Sequence, residues 1–199
     1  MNTSQRNIKC QSKLKIATRG RVLFETEAET LKDALEEAVM SGVNLSCADL
    51  RNADLGEACL ANAQLSNADF SGANLFGALL YRATLISAHF YSVDLRYANF
   101  KYATLRKAAL QNLELFAADF SQSNLIQVDF RNSNLEGASL RGANITGTSF
   151  GPRPKAPEKG SFVAWKKVYN KQSDPVIAKL LIPENALRRW SDDTAEPSL

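Results

Sequence analysis

From Val43 to Phe150 a bulky apolar residue falls on every fifth position, from Leu45, Leu50 and Leu55 through Phe70 and Phe90 to Ile145 and Phe150. Of the 22 such positions, 15 are Leu, 6 are Phe and 1 is Ile, and the residue two places earlier is Ala in 15 of them, as in Ala48-Asp49-Leu50. A helix repeats near 3.6 residues and a half-buried strand at 2, so neither can keep this pattern on one face. The chain must turn a corner every five residues. A fixed period sustained over this length marks a solenoid, in which each unit leans on its neighbours and the stack buries a continuous core.

The unit A-(D/N)-(L/F)-x-x resembles that of the pentapeptide-repeat family. The resemblance implies an all-β solenoid, a right-handed quadrilateral β-helix with one repeat per side and 20 residues per coil. If so, positions 20 apart stack, and each side carries its own residues. One wall reads Leu45, Leu65, Leu85, Leu105, Leu125, Ile145, and the wall opposite reads Leu55, Leu75, Leu95, Leu115, Leu135. The other two hold every Phe among the centres: Leu50, Phe70, Phe90, Leu110, Phe130, Phe150, and Leu60, Leu80, Phe100, Phe120, Leu140. Phe is therefore expected to stack on Phe. Twenty-two repeats on four walls give about 5.5 coils, roughly 26 Å of column at a layer spacing of about 4.8 Å.

Residues 1–42 read as a cap. Lys13–Thr18 and Arg21–Thr26 predict two strands joined at Arg19-Gly20. Thr30 is a candidate N-cap for a helix carrying Leu31, Ala34, Leu35, Ala38 and Val39, which Gly42 stops. The column occupies residues 43–150. Residues 151–160, with Pro152, Pro154 and Pro157, form a connector, and 161–190 a small C-terminal β/α cap: strands at Ser161–Tyr169 and Val176–Ile182, a turn at Ser173-Asp174-Pro175, and a short helix from Pro183 through Trp190. Residues 191–199 form a loose tail. The wording Phe162-Val163-Ala164-Trp165-Lys166-Lys167, Ala178-Lys179-Leu180-Leu181-Ile182-Pro183 and Ala186-Leu187-Arg188-Arg189 resembles a module found behind pentapeptide runs in bacterial and bacteriophage proteins.

The net charge of +3 conceals a division along the column. Residues 43–75 carry −3, residues 76–112 carry +4 and residues 113–150 carry −2, a basic waist between acidic ends. Cys10, Cys47 and Cys59 are odd in number and lack C-x-x-C spacing, which predicts free thiols. No apolar run reaches 18 residues and Met1–Thr18 has no signal-type block, so the expectation is a cytoplasmic protein with no membrane segment. Exposed column ends favour a homodimer through one end, effective caps a monomer.

At the waist the outward corner residues change character. Phe76, Tyr81, Ile86 and Tyr91 occupy the first outward position on four successive sides, an apolar belt. One coil later Arg96, Lys101 and Arg106 take these sites, with Tyr97 and Tyr102 beside them and Phe116 a coil further on. Stacking predicts Arg96 between Phe76 and Phe116 and Lys101 against Tyr81, as cation–aromatic contacts, and Arg106 between Ile86 and Ile126. Shielding of the corners accounts for these residues without a function. Read functionally, they form a docking surface for an acidic partner, and flat walls suit a protein better than a DNA track, so nucleic acid is disfavoured.

Catalytic chemistry finds no footing. His89 stands alone on an outward position, Asp54 and Asp94 lie two coils apart on open surface, and Gly56, Gly72, Gly77, Gly137, Gly142 and Gly147 fall on corners rather than in a phosphate loop. The expectation is no enzyme, no cofactor and no metal site, but a protein–protein interaction scaffold from a phage or bacterium that modulates a host protein. The alternative drawn from the family resemblance is DNA mimicry, inhibiting or protecting a DNA-handling enzyme such as a type II topoisomerase. A column netting −1 with a basic waist fits it poorly.

Overall fold

The computed structural model describes residues 14–18 and 20–150, and the backbone of residues 162–169 and 175–182. Parallel bridges join residues 20 apart on every wall, from Asn44↔Gln64, Asp49↔Asp69, Asp54↔Asn74 and Cys59↔Leu79 up to Asn124↔Asn144. The chain thus climbs one layer every 20 residues, the period expected. The walls are named here by their first centres: the Leu45, Leu50, Leu55 and Leu60 walls.

One repeat shows why five residues suffice to turn a corner. Around Leu75, Asn74 N–H donates down to Ala53 O at 2.9 Å, and Leu75 N–H donates up to Asp94 O at 2.9 Å. Gly77 N–H also donates up, to Arg96 O at 2.9 Å, and Ala78 N–H closes the turn on Leu75 O at 3.0 Å. Phe76 N–H has no layer to reach and donates to the Asn74 side chain, Oδ1, at 3.0 Å. All the amides of the unit are satisfied, as buried backbone requires. This explains the Asp/Asn preference before each centre: a short side-chain acceptor caps the turn two residues on, as at Asp49–Arg51, Asn99–Lys101 and Asn124–Ile126. The second outward residue has φ near +60° at every corner from Gly42 to Gly147, the mark of a type II turn. Asn holds several of these corners, but so do Arg82, Tyr97, Tyr102 and Lys107. Gly56 departs from the corner-glycine reading: it precedes the positive-φ residue, which is Glu57 at +58°.

The bulky centres and inward alanines form one continuous core. Phe stacks on Phe as predicted, at Phe70–Phe90 (5.3 Å between centroids), Phe100–Phe120 (4.9 Å) and Phe130–Phe150 (5.5 Å). The stacks also interlock across the column. Phe90 meets Phe100 edge-on at 6.4 Å and Phe120 meets Phe130 at 5.5 Å, linking six rings in one chain through the core.

One corner is irregular. The inward slot two places before a centre holds Val93, and Leu113 stacks directly above it. Two large residues in successive layers hold those layers apart. Among the described residues, Phe90, Ser92 and Glu114 lack the interlayer N–H bond made by their counterparts, Val93 and Leu113 lack the turn bond, and Asp94 N–H reaches Ala73 O at a long 3.3 Å. Two large residues in this slot have a small hydroxyl residue above them: Ser133 above Leu113, and Thr148 above Val128. The amides of Phe90, Ser92, Val93 and Glu114 should therefore exchange with solvent faster than those of Leu85, Ser87 and Ala88 at the preceding corner, as read by hydrogen exchange with residue resolution. Uniform protection around the coil would contradict this account.

Before the column, β1 (Leu14–Thr18) and β2 (Arg21–Thr26) pair antiparallel. Gly20, at φ +113°, makes the turn between them. Helix α1 (Leu31–Met40) begins at Thr30, whose hydroxyl accepts from Asp33 N–H at 3.1 Å. It ends in a glycine-centred motif: Gly42 N–H to Val39 O at 2.9 Å and Val43 N–H to Ala38 O at 3.0 Å. Gly42 is also the first positive-φ corner, so the helix runs out in phase with the repeat. The first coil is held from below by Asp49 N–H to Ala17 O at 2.8 Å, Lys32 Nζ to Gly56 O at 2.8 Å and Cys59 N–H to Glu36 Oε1 at 2.8 Å. These contacts occupy backbone groups that the second layer has no means to reach.

At the other end Asp129–Phe130 (β3) and Ser149–Phe150 (β4) pair as short parallel strands. Phe162–Tyr169 (β5) and Pro175–Ile182 (β6) form an antiparallel pair, close to the strands expected. Pro175 opens β6, a place where a missing N–H is tolerated. The predicted connector, the turn at 173–174, the helix from Pro183 through Trp190, the tail and Cys10 lie outside the described residues.

Candidate interaction surface

The ten waist residues stand on four different corners, and the structure gathers only some of them. Phe76, Arg96, Tyr97 and Phe116 line the corner between the Leu55 and Leu60 walls. Tyr81, Lys101 and Tyr102 line the next corner, beyond the Leu60 wall. Ile86 and Arg106 share the third corner, and Tyr91 holds the fourth alone. The belt is less open than predicted: Phe76, Tyr81 and Ile86 are half-buried, whereas Tyr91, Tyr97 and Tyr102 are 71%, 52% and 46% exposed.

The predicted cation contacts need correcting. Arg96 does sit over Phe76, 5.6 Å from its centroid. The group between Phe76 and Phe116, however, is Tyr97, edge-on to each at 5.3 and 5.6 Å. Lys101 turns to its neighbour Tyr102 at 5.9 Å, and the cation against Tyr81 is Arg82, 5.2 Å from that ring and 5.8 Å from Tyr102. The cause is one of position. At two corners the second corner residue, with positive φ, reaches the first corner residue of the layer before it, Tyr97 to Phe76 and Tyr102 to Tyr81, whereas Arg82 meets Tyr81 of its own layer and Tyr102 of the next.

Two residues that sequence reasoning passed over belong to this surface: Arg82, and Leu79 on the Leu60 wall, 44% exposed between the two aromatic corners. Leu79 was detectable in principle, since the position before a centre is otherwise mostly polar. Tyr81 and Tyr102 meet edge-on at 5.6 Å, so each side of the Leu60 wall carries a ladder of rings.

Charge is distributed by pairing as much as by composition. Three repeats read Asp-(Leu/Phe)-Arg, and in each the guanidinium forks onto its own carboxylate: Asp49–Arg51 at 2.6 Å, Asp94–Arg96 at 2.7 Å and Asp129–Arg131 at 2.5 Å. Hydrogen bonding from Arg96 holds the Asp94 carboxyl below the ordinary carboxylate value of 3.8 against the opposing effect of burial. For Asp69 burial pushes upward, but the Ser71 hydroxyl and amide, with His89 and Arg51, bring the carboxyl below 3.8. Lowered folded-state values stabilise the fold above the unfolded carboxylate value, and that contribution fades as pH falls through the lower folded value. The melting midpoint should be flat from about pH 7 to 5 and drop below about pH 4, and Asp94→Asn should shallow that acid limb. Midpoints measured across this range check it; an unchanged limb in Asp94→Asn would refute the role given to Asp94.

Cys47 and Cys59 are exposed free thiols. Among the described residues no group of three or more His, Cys, Asp or Glu is placed to hold a metal ion, and no helix is long and apolar enough to cross a membrane. His89 lines a depression of about 380 Å³ on the Leu50 wall with Asp49, Asp69 and Arg51.

Two family models fall on the column end to end. One described as pentapeptide repeats (8 copies) matches residues 35–72, and one described as a pentapeptide repeat region matches residues 73–140. Together they span just over half of the 199 residues. Residues 153–197 match a family of unknown function (DUF5758). Comparison with curated proteins returns no match. Among solved structures, the pentapeptide repeat protein Rfr23 of the cyanobacterium Cyanothece is 28% identical over 42% of this chain and 61% of its own, with a TM-score of 0.25. HetL of the cyanobacterium Nostoc, involved in heterocyst differentiation regulation, is 26% identical over 51% and 63%, with a TM-score of 0.22. The plasmid-mediated fluoroquinolone resistance protein QnrB1 is 20% identical over 48% and 66%, with a TM-score of 0.18. The chain spans about three fifths of the length of the first two. A five-residue unit with polar turn caps, 20-residue layers and two abutting family matches leave one conclusion: this chain belongs to the pentapeptide-repeat family.

Proposed function

We propose that this protein is a non-enzymatic interaction scaffold. Its column of about 5.5 coils, closed below by the hairpin and α1 and above by the C-terminal module, presents its waist to a protein partner. One observation supports this above the others. Tyr97 and Tyr102 stand at φ +61°, corners where Gly or Asn is held at lower cost, and both remain about half exposed. The turn imposes this φ at every corner, but large rings left half exposed where Gly or Asn would serve point to recognition. In this reading the protein is cytoplasmic and its partner a bacterial protein, as the resemblance of the C-terminal module to those of bacterial and phage chains suggests. DNA mimicry receives less support, because the Asp49, Asp94 and Asp129 carboxylates are each engaged by an arginine, a poor imitation of a run of phosphates.

The test is capture from bacterial lysate by the native chain and by a Phe76→Ser, Tyr81→Ser, Tyr91→Ser variant that still melts cooperatively. Proteins retained by the first and lost by the second are expected. Identical capture by both would end the waist reading. A supercoiling assay inhibited by the protein would favour DNA mimicry instead.

A further inference from the structure

The scaffold reading leaves open which side of the column is used and by what. We infer that the Leu60 wall is the docking face and that its occupant is an acidic amphipathic helix of a partner protein; this rests on the scaffold reading and narrows it. The wall holds Leu79 open between two ring ladders, with Tyr97 on one edge and Tyr102 on the other, all three about half exposed. Apolar surface gathered in this way marks an interface core, with aromatic residues supplying its anchors.

The charge around it is one-sided. Arg96, on the Tyr97 edge, is taken by Asp94 at 2.7 Å. On the Tyr102 edge Arg82 and Lys101 have no carboxylate partner among the described residues, only the faces of tyrosines. Two cations without carboxylate partners along one side of an apolar strip fit a partner with acidic groups flanking an apolar stripe. Asp119, in the third layer of the same wall, accepts from the Ser121 amide at 2.8 Å and keeps its negative charge, so the cationic edge belongs to the two layers below it, those of Arg82 and Lys101.

The backbone decides the partner's shape. At Leu79 and Asn99 the wall has no free ladder. Leu79 N–H goes to Ala58 O at 2.9 Å and Asn99 N–H to Ala78 O at 2.9 Å, while their carbonyls accept from Leu60 at 2.9 Å and Leu80 at 2.8 Å. An incoming strand would find nothing to pair with, so the partner is held through side chains, as a helix is. From Phe76 to Phe116 the patch spans three layers, about 10 Å of column, or about two turns of helix.

The test uses the full chain and three fluorescent probes: a peptide with leucines at i, i+3, i+4 and i+7 and glutamates elsewhere, the same peptide with lysines for glutamates, and a DNA duplex. The acidic peptide should bind at least about tenfold more tightly than the other two, a difference of about 1.4 kcal/mol. Leu79→Ser with Tyr102→Ser should weaken it about tenfold or more, and Arg82→Glu with Lys101→Glu should reverse the preference between the peptides. Circular dichroism melts confirm that each variant folds. Equal binding of both peptides, or tighter binding of DNA, overturns the inference. If Ile86→Ser with Tyr91→Ser abolishes binding and the Leu60-wall variants do not, the wall is wrongly assigned while the waist scaffold stands. If none of these variants changes acidic-peptide binding, the inference fails and the lysate capture alone decides the broader reading.

Discussion

Phe100→Ala is expected to cost about 3–5 kcal/mol of folding stability, as befits a buried ring with two ring partners. Phe100 is fully buried and stands at one of the two places where the Phe walls join: stacked on Phe120 at 4.9 Å and edge-on to Phe90 at 6.4 Å. Truncation removes both contacts and leaves a cavity in a layer whose neighbours are held by ladder bonds above and below, so the site cannot collapse. Phe100→Leu restores what most repeats already have and should cost no more than about 1.5 kcal/mol. Phe150→Ala, at the end of the ring chain and only half-buried, should cost less than Phe100→Ala. Urea unfolding at unchanged m-value measures all three. A double-mutant cycle between Phe100 and Phe120 should show about 0.5–1.5 kcal/mol of coupling. If Phe100→Ala cost under about 1 kcal/mol, the rings would not be the packed spine described.

The positions of these rings could be read from the sequence because the repeat never slips. Once every bulky centre is five residues from the next, wall membership follows by counting, and Phe70 must lie under Phe90. The edge-on contacts between walls could not be read that way, because they depend on how far each ring reaches across the core. Corner contacts show the same division. Counting places Arg96, Tyr97 and Phe116 on one corner, but which of two adjacent side chains reaches back over the previous layer is set by φ at the second corner residue. That is why Tyr97 and Tyr102, rather than Arg96 and Lys101 alone, lie against Phe76 and Tyr81, while Arg82 meets Tyr81 within its own layer. The Asp94–Arg96 type of pair was written in the sequence as Asp-x-Arg, yet it becomes meaningful only once the turn is seen to bring i and i+2 together on the outer face. Leu79 had a plain signal, an apolar residue at a position otherwise mostly polar.

Ser133→Ala should destabilise far more than the loss of one exposed hydroxyl, because Ser133 repairs a defect one layer below it. Its Oγ donates to Leu110 O at 2.5 Å and accepts from Leu113 N–H at 3.0 Å, the two groups that elsewhere bond directly to close the turn. Leu113, in a slot that usually holds Ala, keeps them apart. Alanine at 133 leaves a buried amide and a buried carbonyl without those partners, at about 1–3 kcal/mol for each group. Leu113→Ala alone loses buried apolar area but lets the turn close, so the Leu110–Leu113 bond forms and the hydroxyl becomes dispensable. Ser133→Ala should then cost at least about 1 kcal/mol less in the Leu113→Ala background than in the native chain. Ser123→Ala is the control: its hydroxyl bonds only Phe120 O at 2.6 Å, a carbonyl that also accepts the ordinary turn bond from Ser123 N–H at 3.2 Å. It should cost about 1 kcal/mol or less. Additive effects of Ser133→Ala and Leu113→Ala would mean that the hydroxyl packs beside the open turn without closing it. In that case the large inward residues, and not the hydroxyl stacked above them, would set the strength of this corner.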